Sequence, residues 1–599
     1  MDRKSIIILV LCFLMLAGWM PLMNWLYPPP PRRAATDPAL AAARGTNAAV
    51  TAENPVPIAP NEPVMPASAP HAFLTAGVPE VILELTNDLA RYTFSSHGGG
   101  LKGVELLKFP ETVGDKNTTN AGSLATLNSL ALPPVLSSSG GSTLEGDGVF
   151  QLTRTKTSVR AEKTLTNGLV LVKTFALGTN YLLSASVSLT NTSAQPLALP
   201  NQSWIIGTAT PMSPLDDGLS VGMLWFDRKA STEIGASWFD NRFLGCFPGT
   251  PRFDYRGGQT NVIWAAVHNQ FFALAAMPET PADEVLCHPV QLARPMEWTI
   301  QAPTKTGPLK GFETALVYPA QTLAPGQGME RRFYFFAGPK EYRVLDKIGS
   351  SFGNEVEQVM GFSGFFGWFA KVLLLSMNGL QSTLHVGYGW AIVFITIIIK
   401  LLFWPLTQAS TRSMKRMQAL QPQMNAIKEK YKDDSAKMNQ KLMEYMKENK
   451  VSPLGGCLPM LIQLPIFFGF YRMIQSAIEL RGERFLWVAD LAKPDTLFQI
   501  HMGAFDIPFN LLPLLMGGTM LWQSHITPAT PGADPMQQKM MKYMPLMFLF
   551  MLYNFSAGLT LYWTVQNLLS ILQMKLTRTQ PTTVPAVVAP AQKAHKGRR

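Results

Sequence analysis

A lysine interrupts one of the most apolar stretches of this chain, because Lys400 lies within the run Ile395–Phe403. A charged side chain inside an apolar span is costly, and such a residue usually serves a path for a substrate or an ion. The chemistry would be non-covalent, with a cation that attracts acidic groups. The alternative is that the flexible lysine stem carries its ammonium group to the nearer membrane surface.

Polar side chains recur at helical spacing around this lysine and in three later apolar segments. Thr396, Lys400, Trp404 and Thr407 are separated by 4, 4 and 3 residues, so they share one face of a helix. The later segments contribute Gln463, Thr519, Gln523, Thr560, Trp563, Thr564, Asn567 and Ser570. Hydrocarbon penalises every exposed polar group, so polar stripes on several helices predict a shared hydrophilic groove. For any single residue, a contact between two helices is the alternative.

Sequence motifs for covalent or metal chemistry are missing. The chain has no His-Glu-x-x-His helix, no Gly-x-Ser-x-Gly elbow and no Walker A loop. Residues 98–103 satisfy Gly-x-Gly-x-x-Gly, but a strand pattern follows where a dinucleotide site needs a helix, so we expect a glycine-rich turn. We expect no enzyme, cofactor or metal site. A Ser/Lys hydrolase is disfavoured, since no motif places Ser524 or Ser570 near Lys400.

Composition and charge indicate a membrane protein. Apolar residues make up 47% of the chain and charged residues 15%, with a formal net charge of +11. The cations cluster beside apolar spans, which favours anionic lipid over nucleic acid as their partner. Residues 408–453 hold ten Lys/Arg against five Asp/Glu, the tail 575–599 holds six with no acid, and the loop 478–508 holds three. The positive-inside rule therefore predicts that the two basic segments are cytoplasmic.

The N-terminal part of the chain is predicted to be an anchor followed by a tether. Ile6–Tyr27 is apolar over 22 residues, which is enough to cross a bilayer. It is longer than a signal-peptide core and lacks a nearby cleavage site, so we expect an uncleaved anchor over residues 1–27. Residues 28–72 are rich in Pro and Ala and predict a flexible tether.

A periplasmic all-β sandwich is predicted over residues 73–345. Short β-branched and aromatic runs alternate there with turn residues, and both Val262–Ala276 and Glu297–Gln301 have strand character. Cys246 and Cys287 lie in this region. They form either a disulfide or two free thiols. The sequence does not decide between these alternatives, because it does not give the distance between the two Cα atoms.

The last part of the chain is predicted to be helical. We expect an interfacial amphipathic helix over residues 360–385, based on Phe365–His385, and a five-span core over residues 386–575. With the N-terminal anchor, this gives six spans and places both termini in the cytoplasm and residues 28–360 in the periplasm. The five core spans are Gly387–Thr407, Leu458–Ala477, Phe509–Ser524, Tyr543–Tyr553 and Ala557–Met574. Residues 576–599 form a basic cytoplasmic tail.

A cytoplasmic helical hairpin is predicted over residues 408–453, with methionines at helical spacing. Met414, Met417, Met424 and Met438 belong to this pattern. They predict either an adaptable surface that holds varied apolar segments, or an ordinary seam between two helices under a solvated charged face.

Long motifs in the helical part resemble those of a known family. They are TIIIKLLFWPLT at 396–407, MQALQPQM at 417–424, VSPLGGCLPMLIQLPIFF at 451–468, DPMQQKMMKYM at 534–544 and SAGLTLYWTVQN at 556–567. Together they resemble the core of the YidC family, which also includes the mitochondrial oxidase-assembly and chloroplast Albino insertases. The resemblance covers about residues 360–575 strongly and the preceding segments more loosely. The β domain resembles a sugar-binding supersandwich.

The resemblance implies a membrane protein insertase and chaperone that works alone or with the Sec translocon. It implies a groove that is open to the cytoplasm and to lipid, with nascent membrane proteins and membrane lipids as partners. A ribosome is a further partner suggested by the basic hairpin and tail. The implied groove residues are Lys400, Thr396, Trp404, Gln463, Gln523, Thr560, Tyr562, Trp563 and Asn567. This chain departs from the family in having Lys400 where arginine is usual and Trp563 where a second tyrosine is common.

Two other functions are compatible with parts of this pattern. An envelope-assembly scaffold would act through the periplasmic β domain. A small-solute transporter would use Lys400 as its binding charge, but transporters usually show internal repeats and this sequence has none that we recognise.

Overall fold

The computed structural model describes most of the chain after the predicted tether. The described residues are 77–113, 123–131, 133–138, 142–213, 220–241, 249–301, 308–432, 434–449, 458–502, 505–527 and 535–577. The predicted anchor, the tether, Cys246 and nearly all of the tail lie outside them. The described residues form two compact units. The β-sheet unit contains residues 77–111, 124–338 and 352–359, and the helical unit contains most of the rest, chiefly 339–351 and 360–577.

Short strands with turns between them form the β-sheet unit. In chain order β1 to β19 are Ile82–Thr86, Ala90–Ser95, Gly100–Pro110, Leu124–Leu127, Gln151–Arg154, Ser158–Thr164, Leu169–Leu177, Leu182–Asn191, Leu197–Leu199, Gln202–Ala209, Gly222–Phe226, Ser231–Gly235, Tyr255–Gly257, Trp264–His268, Phe272–Pro278, Glu284–Leu292, Leu309–Tyr318, Gln321–Leu323 and Gly328–Pro339. Three short helices, α1 to α3, are Ser142–Glu145, Ala236–Asp240 and Met296–Gln301.

A nine-stranded sheet is the largest layer of this unit. Its strand order is β12-β11-β14-β15-β19-β8-β7-β6-β5, and the four-stranded sheet β10-β17-β16-β13 packs against it. A further four-stranded sheet has the order β1-β2-β3-β4. Strand β8 shows why the sheets stack, because buried Leu183, Val187 and Leu189 alternate with half-buried serines. The predicted β-rich fold is confirmed.

Two predicted strands are wrong in detail. Val262–Ala276 is split into β14 and β15, because the side chain of Asn269 accepts hydrogen bonds from the backbone N–H groups of Phe271 and Phe272 and closes a turn. Glu297–Gln301 lies in helix α3. Pro295 directly precedes that helix, where its missing backbone N–H costs no hydrogen bond of the helix.

The glycine-rich turn is confirmed at residues 98–100. Gly98 and Gly99 have φ values of +75° and +57°, and strand β3 begins at Gly100. A Cβ atom at Gly99 would lie 2.4 Å from the Phe150 ring. The positive φ and the close approach of the ring both require glycine.

Lys173 is buried in the core of this unit. No part of its side chain is exposed, and its Nζ donates to Glu145 Oε1 at 2.5 Å and to the Gly98 carbonyl at 2.7 Å. The ammonium lies 4.4 Å from the centroid of the Phe150 ring. The ion pair therefore joins the glycine-rich turn and helix α1 to strand β7.

We expect the stability of the β-sheet unit to fall as the pH rises past neutrality. His288 lies opposite Glu313 in the β16–β17 pair, with 3.3 Å between Nε2 and Oε1, and this contact raises the pKa of His288. The stabilisation is complete below the pKa of the unfolded histidine, about 6.5, and is lost as pH rises through the higher folded value.

Glu313→Gln should remove this pH dependence. The wild-type protein should be more stable than the variant by roughly 1–2 kcal/mol at low pH, with the difference shrinking above neutrality. Urea unfolding of the β-sheet unit in the full-length protein, measured from about pH 5.5 to 8.5, checks this. A difference that does not change with pH would show that the His288 charge is not involved.

The helical unit contains ten α-helices in its described residues. In chain order α4 to α13 are Tyr342–Phe352, Gly364–Leu384, Tyr388–Leu402, Trp404–Ala419, Gln421–Lys430, Ser435–Glu448, Leu458–Ser476, Leu511–Ile526, Pro535–Leu552 and Ala557–Leu576. A β-hairpin of β20, Thr496–Met502, and β21, Phe505–Asn510, connects α10 to α11. Short 3-10 segments are Val356–Met360 and Ile478–Leu480.

Helix bounds differ from the predicted spans at three places. The first span ends at Leu402, and α7 begins at Trp404 with Pro405 in its first turn. Proline lacks a backbone N–H and cannot continue the preceding helix, so Trp404 and Thr407 lie on a different helix from Lys400. Phe509 belongs to β21, and the fourth span starts earlier, at Pro535.

Length and hydropathy do not single out any one helix as a span. In the described part of the chain, α5 and α6 meet these criteria only together, and they are bent by 115° at the break between them. Tyr543–Leu552 is a shorter apolar stretch.

Candidate functional site

The last helix, α13, organises the interior of the helical unit. It packs against α6 and α11 and also contacts α10. Thr560, Thr564, Asn567 and Gln573 are all buried along it. Thr560, Thr564 and Asn567 are 4 and 3 residues apart and share one side of the helix, whereas Gln573 lies on a different side. The polar stripe predicted from the sequence therefore faces neighbouring helices.

Lys400 lies inside this polar region. It is 6% exposed, and its Nζ donates to Ser570 Oγ at 2.8 Å. The Ser570 hydroxyl in turn donates to the Gln566 carbonyl at 2.8 Å. The lysine therefore contacts another helix and does not reach the surface in this conformation. The hydroxyl proton of Ser570 is directed away from the amine, which is the opposite of an activated serine nucleophile.

A second polar contact joins α10 to α13. Gln463 Nε2 donates to the Tyr562 hydroxyl, and Gln566 Nε2 donates to Gln463 Oε1 at 3.0 Å. The Tyr562 ring stacks on Phe470 with 4.1 Å between centroids. Trp563 is half-buried and makes an edge contact with Phe467 on α10, at 4.8 Å between centroids.

Two further contacts bring α11 and α7 to the same helix. Asn567 Nδ2 donates to Thr519 Oγ1 at 3.2 Å. Gln573 Nε2 donates to Thr407 Oγ1 at 2.7 Å and to the Trp404 carbonyl at 3.3 Å. Four helices thus direct polar groups at α13. Each of these polar groups is explained by a hydrogen bond between two helices. Because all of them lie around α13, the interior of the helical unit is polar.

Three predicted groove residues do not share these contacts. Thr396 is buried but donates to the Ile392 carbonyl of its own helix at 2.6 Å. Thr560 likewise donates within its own helix, to the Ala557 carbonyl at 3.1 Å. Gln523 is half-buried on α11 and accepts at its backbone carbonyl from Thr527. Threonine hydroxyls in helices often return to the backbone in this way.

Sequence reasoning missed two residues of this network and one basic contact. Gln566 and Gln573 continue the 4 and 3 spacing from Tyr562 through Ser570, so the helical period would have found them. Lys415 Nζ donates to the Met574 and Thr577 carbonyls at 3.0 and 2.7 Å. The ammonium group of this lysine compensates the partial negative charge at the C-terminal end of α13. No local sequence pattern predicts this contact.

The helical hairpin has a packed methionine seam. We use "Met seam" for its buried residues Met417, Leu420, Met424, Leu442 and Met446. Of the other predicted methionines, Met414 and Met438 are half-buried. Met417 and Met424 therefore do not form an open surface in this conformation, and the alternative of an ordinary seam describes them.

We expect Met424→Lys to open the helical hairpin, while Met443→Lys on α9 should leave it closed. Met424 is buried in the Met seam, whereas Met443 is exposed. An unpaired cation in the seam should cost about 2–4 kcal/mol, because both packing and solvation are lost. Hydrogen exchange of the hairpin amides in the full-length protein measures this. Equal exchange in the two variants would contradict the seam.

The loop after α10 packs across the beginnings of two helices. The Phe485 ring leaves no room for a Cβ atom at Gly389 in α6, since that atom would lie 2.2 Å away. The Gly558 N–H donates to the Leu491 carbonyl at 2.8 Å. Glu479 accepts from Asn378 Nδ2 at 3.2 Å, and burial raises the pKa of Glu479. This end of the polar interior is therefore covered by protein.

The surface of the helical unit is apolar where its interior is polar. Large apolar side chains face outward on several helices, and Phe550 on α12 is 89% exposed. Leu401, Leu402 and Met547 are similarly exposed. A polar interior under an apolar surface is the reverse of a water-soluble core. Fold and site together define the class: a helical membrane protein that carries a large β-sheet unit.

Comparison with known proteins identifies the family. Residues 82–376 match the family model described as the YidC periplasmic domain, and residues 379–583 match the model described as 60Kd inner membrane protein. The membrane protein insertase YidC of Geotalea daltonii is 30% identical over 605 residues, which cover 96% of this chain and 98% of that protein. The chain belongs to the YidC family of membrane protein insertases, which are inner membrane proteins and not enzymes.

Two further similarities cover different shares of the molecule. The YidC insertase of Pelobacter propionicus is 47% identical over 266 residues, so this alignment spans about half of that relative (47%) and 44% of this chain. A crystal structure of active YidC insertase with its first transmembrane domain resolved is 19% identical, with a TM-score of 0.32, and covers 85% of this chain and 96% of that one.

Proposed function

We propose that this protein inserts and folds membrane proteins by guiding their polar tails past Lys400 in a hydrophilic groove. The observation that carries this proposal is a buried lysine in a polar interior whose outer surface is apolar. The groove comprises Lys400, Ser570, Gln463, Tyr562 and Asn567. Thr396, Trp404, Gln523, Thr560 and Trp563 flank it.

The cost of moving an acidic group into the membrane and its attraction to a groove cation are similar in size, which suits this mechanism. Carrying a carboxylate to the bilayer centre costs about 3 kcal/mol. A cation at about 4 Å attracts it by about 4 kcal/mol at an effective dielectric constant of about 20. The attraction to one groove cation is therefore large enough to offset the penalty for one acidic residue. Transfer of the substrate's apolar segment into lipid supplies the net drive.

The open end of the groove is proposed to face the cytoplasm. Lys400 lies two residues before the end of α6, about 3 Å along the helix axis, and that end leads into the basic helical hairpin. The opposite end is the one covered by the loop after α10. The topology we propose has six spans, with both termini cytoplasmic and residues 28–360 periplasmic.

The proposed partners follow from this arrangement. Nascent membrane proteins are the substrates, and membrane lipids surround the apolar surface. We further propose cooperation with the Sec translocon, and contact of the basic hairpin and tail with the ribosome.

Site-specific photocrosslinking tests the groove. A benzoylphenylalanine probe at Gln463 should capture the polar tail of a single-spanning nascent protein, whereas a probe at Phe550 should capture its apolar segment or lipid. Tail adducts at Phe550 but not at Gln463 would contradict the groove.

A further inference from the structure

The β-hairpin Thr496–Asn510 has one apolar face that no described part of the helical unit covers. Cross-strand partners in its register include Phe498 with Phe509 and Ile500 with Ile507. Side chains of directly opposed residues lie on the same face, and every second residue returns to it. All four residues are apolar, so these two pairs give the hairpin an apolar face.

The other face of the hairpin is less apolar by the same count, because Gln499 lies there opposite Pro508. Apolar and polar residues alternate from Phe498 through Gln499 to Ile500. A ribbon of two strands with this pattern normally packs its apolar face against a second layer.

The apolar face is exposed in this structure. Phe498 is 54% exposed, Ile507 44% and Ile500 39%. The rings of Phe498 and Phe509 stack on each other with 4.7 Å between centroids. This contact lies within the hairpin and does not cover its apolar face.

The base of the hairpin is fixed at the ends of membrane helices. Asn510 immediately precedes α11, and its Nδ2 donates at 2.9 Å to the carbonyl of Tyr553, the residue that follows α12. The Tyr553 hydroxyl donates to the Pro508 carbonyl at 2.8 Å. In the proposed topology these helix ends lie at the membrane surface, which places the hairpin at the height of the lipid head groups.

We propose that this hairpin rests on the membrane surface with Phe498, Ile500 and Ile507 in the boundary between lipid head groups and acyl chains. The occupant of the apolar face is thus lipid. Exposed Leu486 and Trp487, in the same connection between α10 and α11, extend the contact, since tryptophan favours this boundary. The proposal rests on the membrane location of the helices but not on the groove.

Lipid photocrosslinking in a purified system tests the proposal. Benzoylphenylalanine replaces Phe498 or Ile507 on the apolar face, or Gln499 on the polar face, in the full-length protein. Each protein is reconstituted into vesicles of phosphatidylethanolamine and phosphatidylglycerol that carry a clickable acyl chain. The probe at Phe550 is the positive control for lipid contact.

The probes at Phe498 and Ile507 should form roughly fivefold more lipid adduct than the probe at Gln499. Equal adduct on the two faces, or adducts to a second copy of the chain, would overturn the proposal. Insertion of a model substrate is measured in the same vesicles and shows that each labelled protein is folded. Loss of substrate capture at Gln463 with lipid capture at Phe498 retained would count against the groove alone.

Discussion

Lys400→Glu should reduce insertion of a substrate with an acidic translocated tail by about tenfold or more, which corresponds to ~1.4 kcal/mol. A substrate with a neutral tail should lose much less. The reason is that the substitution removes a cation from the polar interior and adds a like charge to the path of the tail. The expected loss is a fraction of the ~4 kcal/mol attraction between close opposite charges at a partly buried site.

Two variants isolate the effect of charge at this position. Lys400→Arg keeps the cation and should retain activity, although the guanidinium must adapt to the contact with Ser570. Arg412→Glu makes the same charge change at an exposed position on α7 and should have little effect. Insertion into vesicles that contain only the purified protein is the measurement. Equal losses for acidic and neutral tails would show that Lys400 is structural.

Lys173→Met should destabilise the β-sheet unit by about 3–5 kcal/mol, the usual cost of breaking a buried ion pair. The substitution leaves Glu145 buried without its cation and the Gly98 carbonyl without its donor. Replacing both members, as Lys173→Met with Glu145→Leu, should recover much of the loss, because an apolar pair needs no solvation. The free energy of unfolding of both variants is measured by urea unfolding of the full-length protein, with protease cleavage of the β-sheet unit as the signal for its unfolding.

An exposed ion pair in the same sheet provides the control. Arg160 and Glu162 are 2.9 Å apart, and both side chains are about half exposed. Arg160→Met should therefore change the free energy of unfolding by less than about 1 kcal/mol. A similar loss for Arg160→Met and Lys173→Met would mean that burial of the pair is not what stabilises the unit.

Much of the architecture could be predicted because it depends on local pattern. The alternation of buried and half-buried residues in β8 follows from the alternation of residue types along the strand. The polar stripe of α13 follows from the spacing of its polar residues. The predicted strand at Glu297–Gln301 failed because a preceding proline favours a helical start over the weak strand propensity. The long span through Thr407 failed because Pro405 ends the helix.

The sequence by itself determined that a lysine lies in an apolar helix and that methionines recur at helical spacing. Only the tertiary structure decided that Lys400 contacts Ser570, that Met417 and Met424 face inward, and that Phe498 is left uncovered. Spacing along the chain fixes which residues share a face, whereas the neighbour of that face depends on how distant segments pack. Lys400 and Ser570 are 170 residues apart in the sequence, so no local pattern predicts their contact.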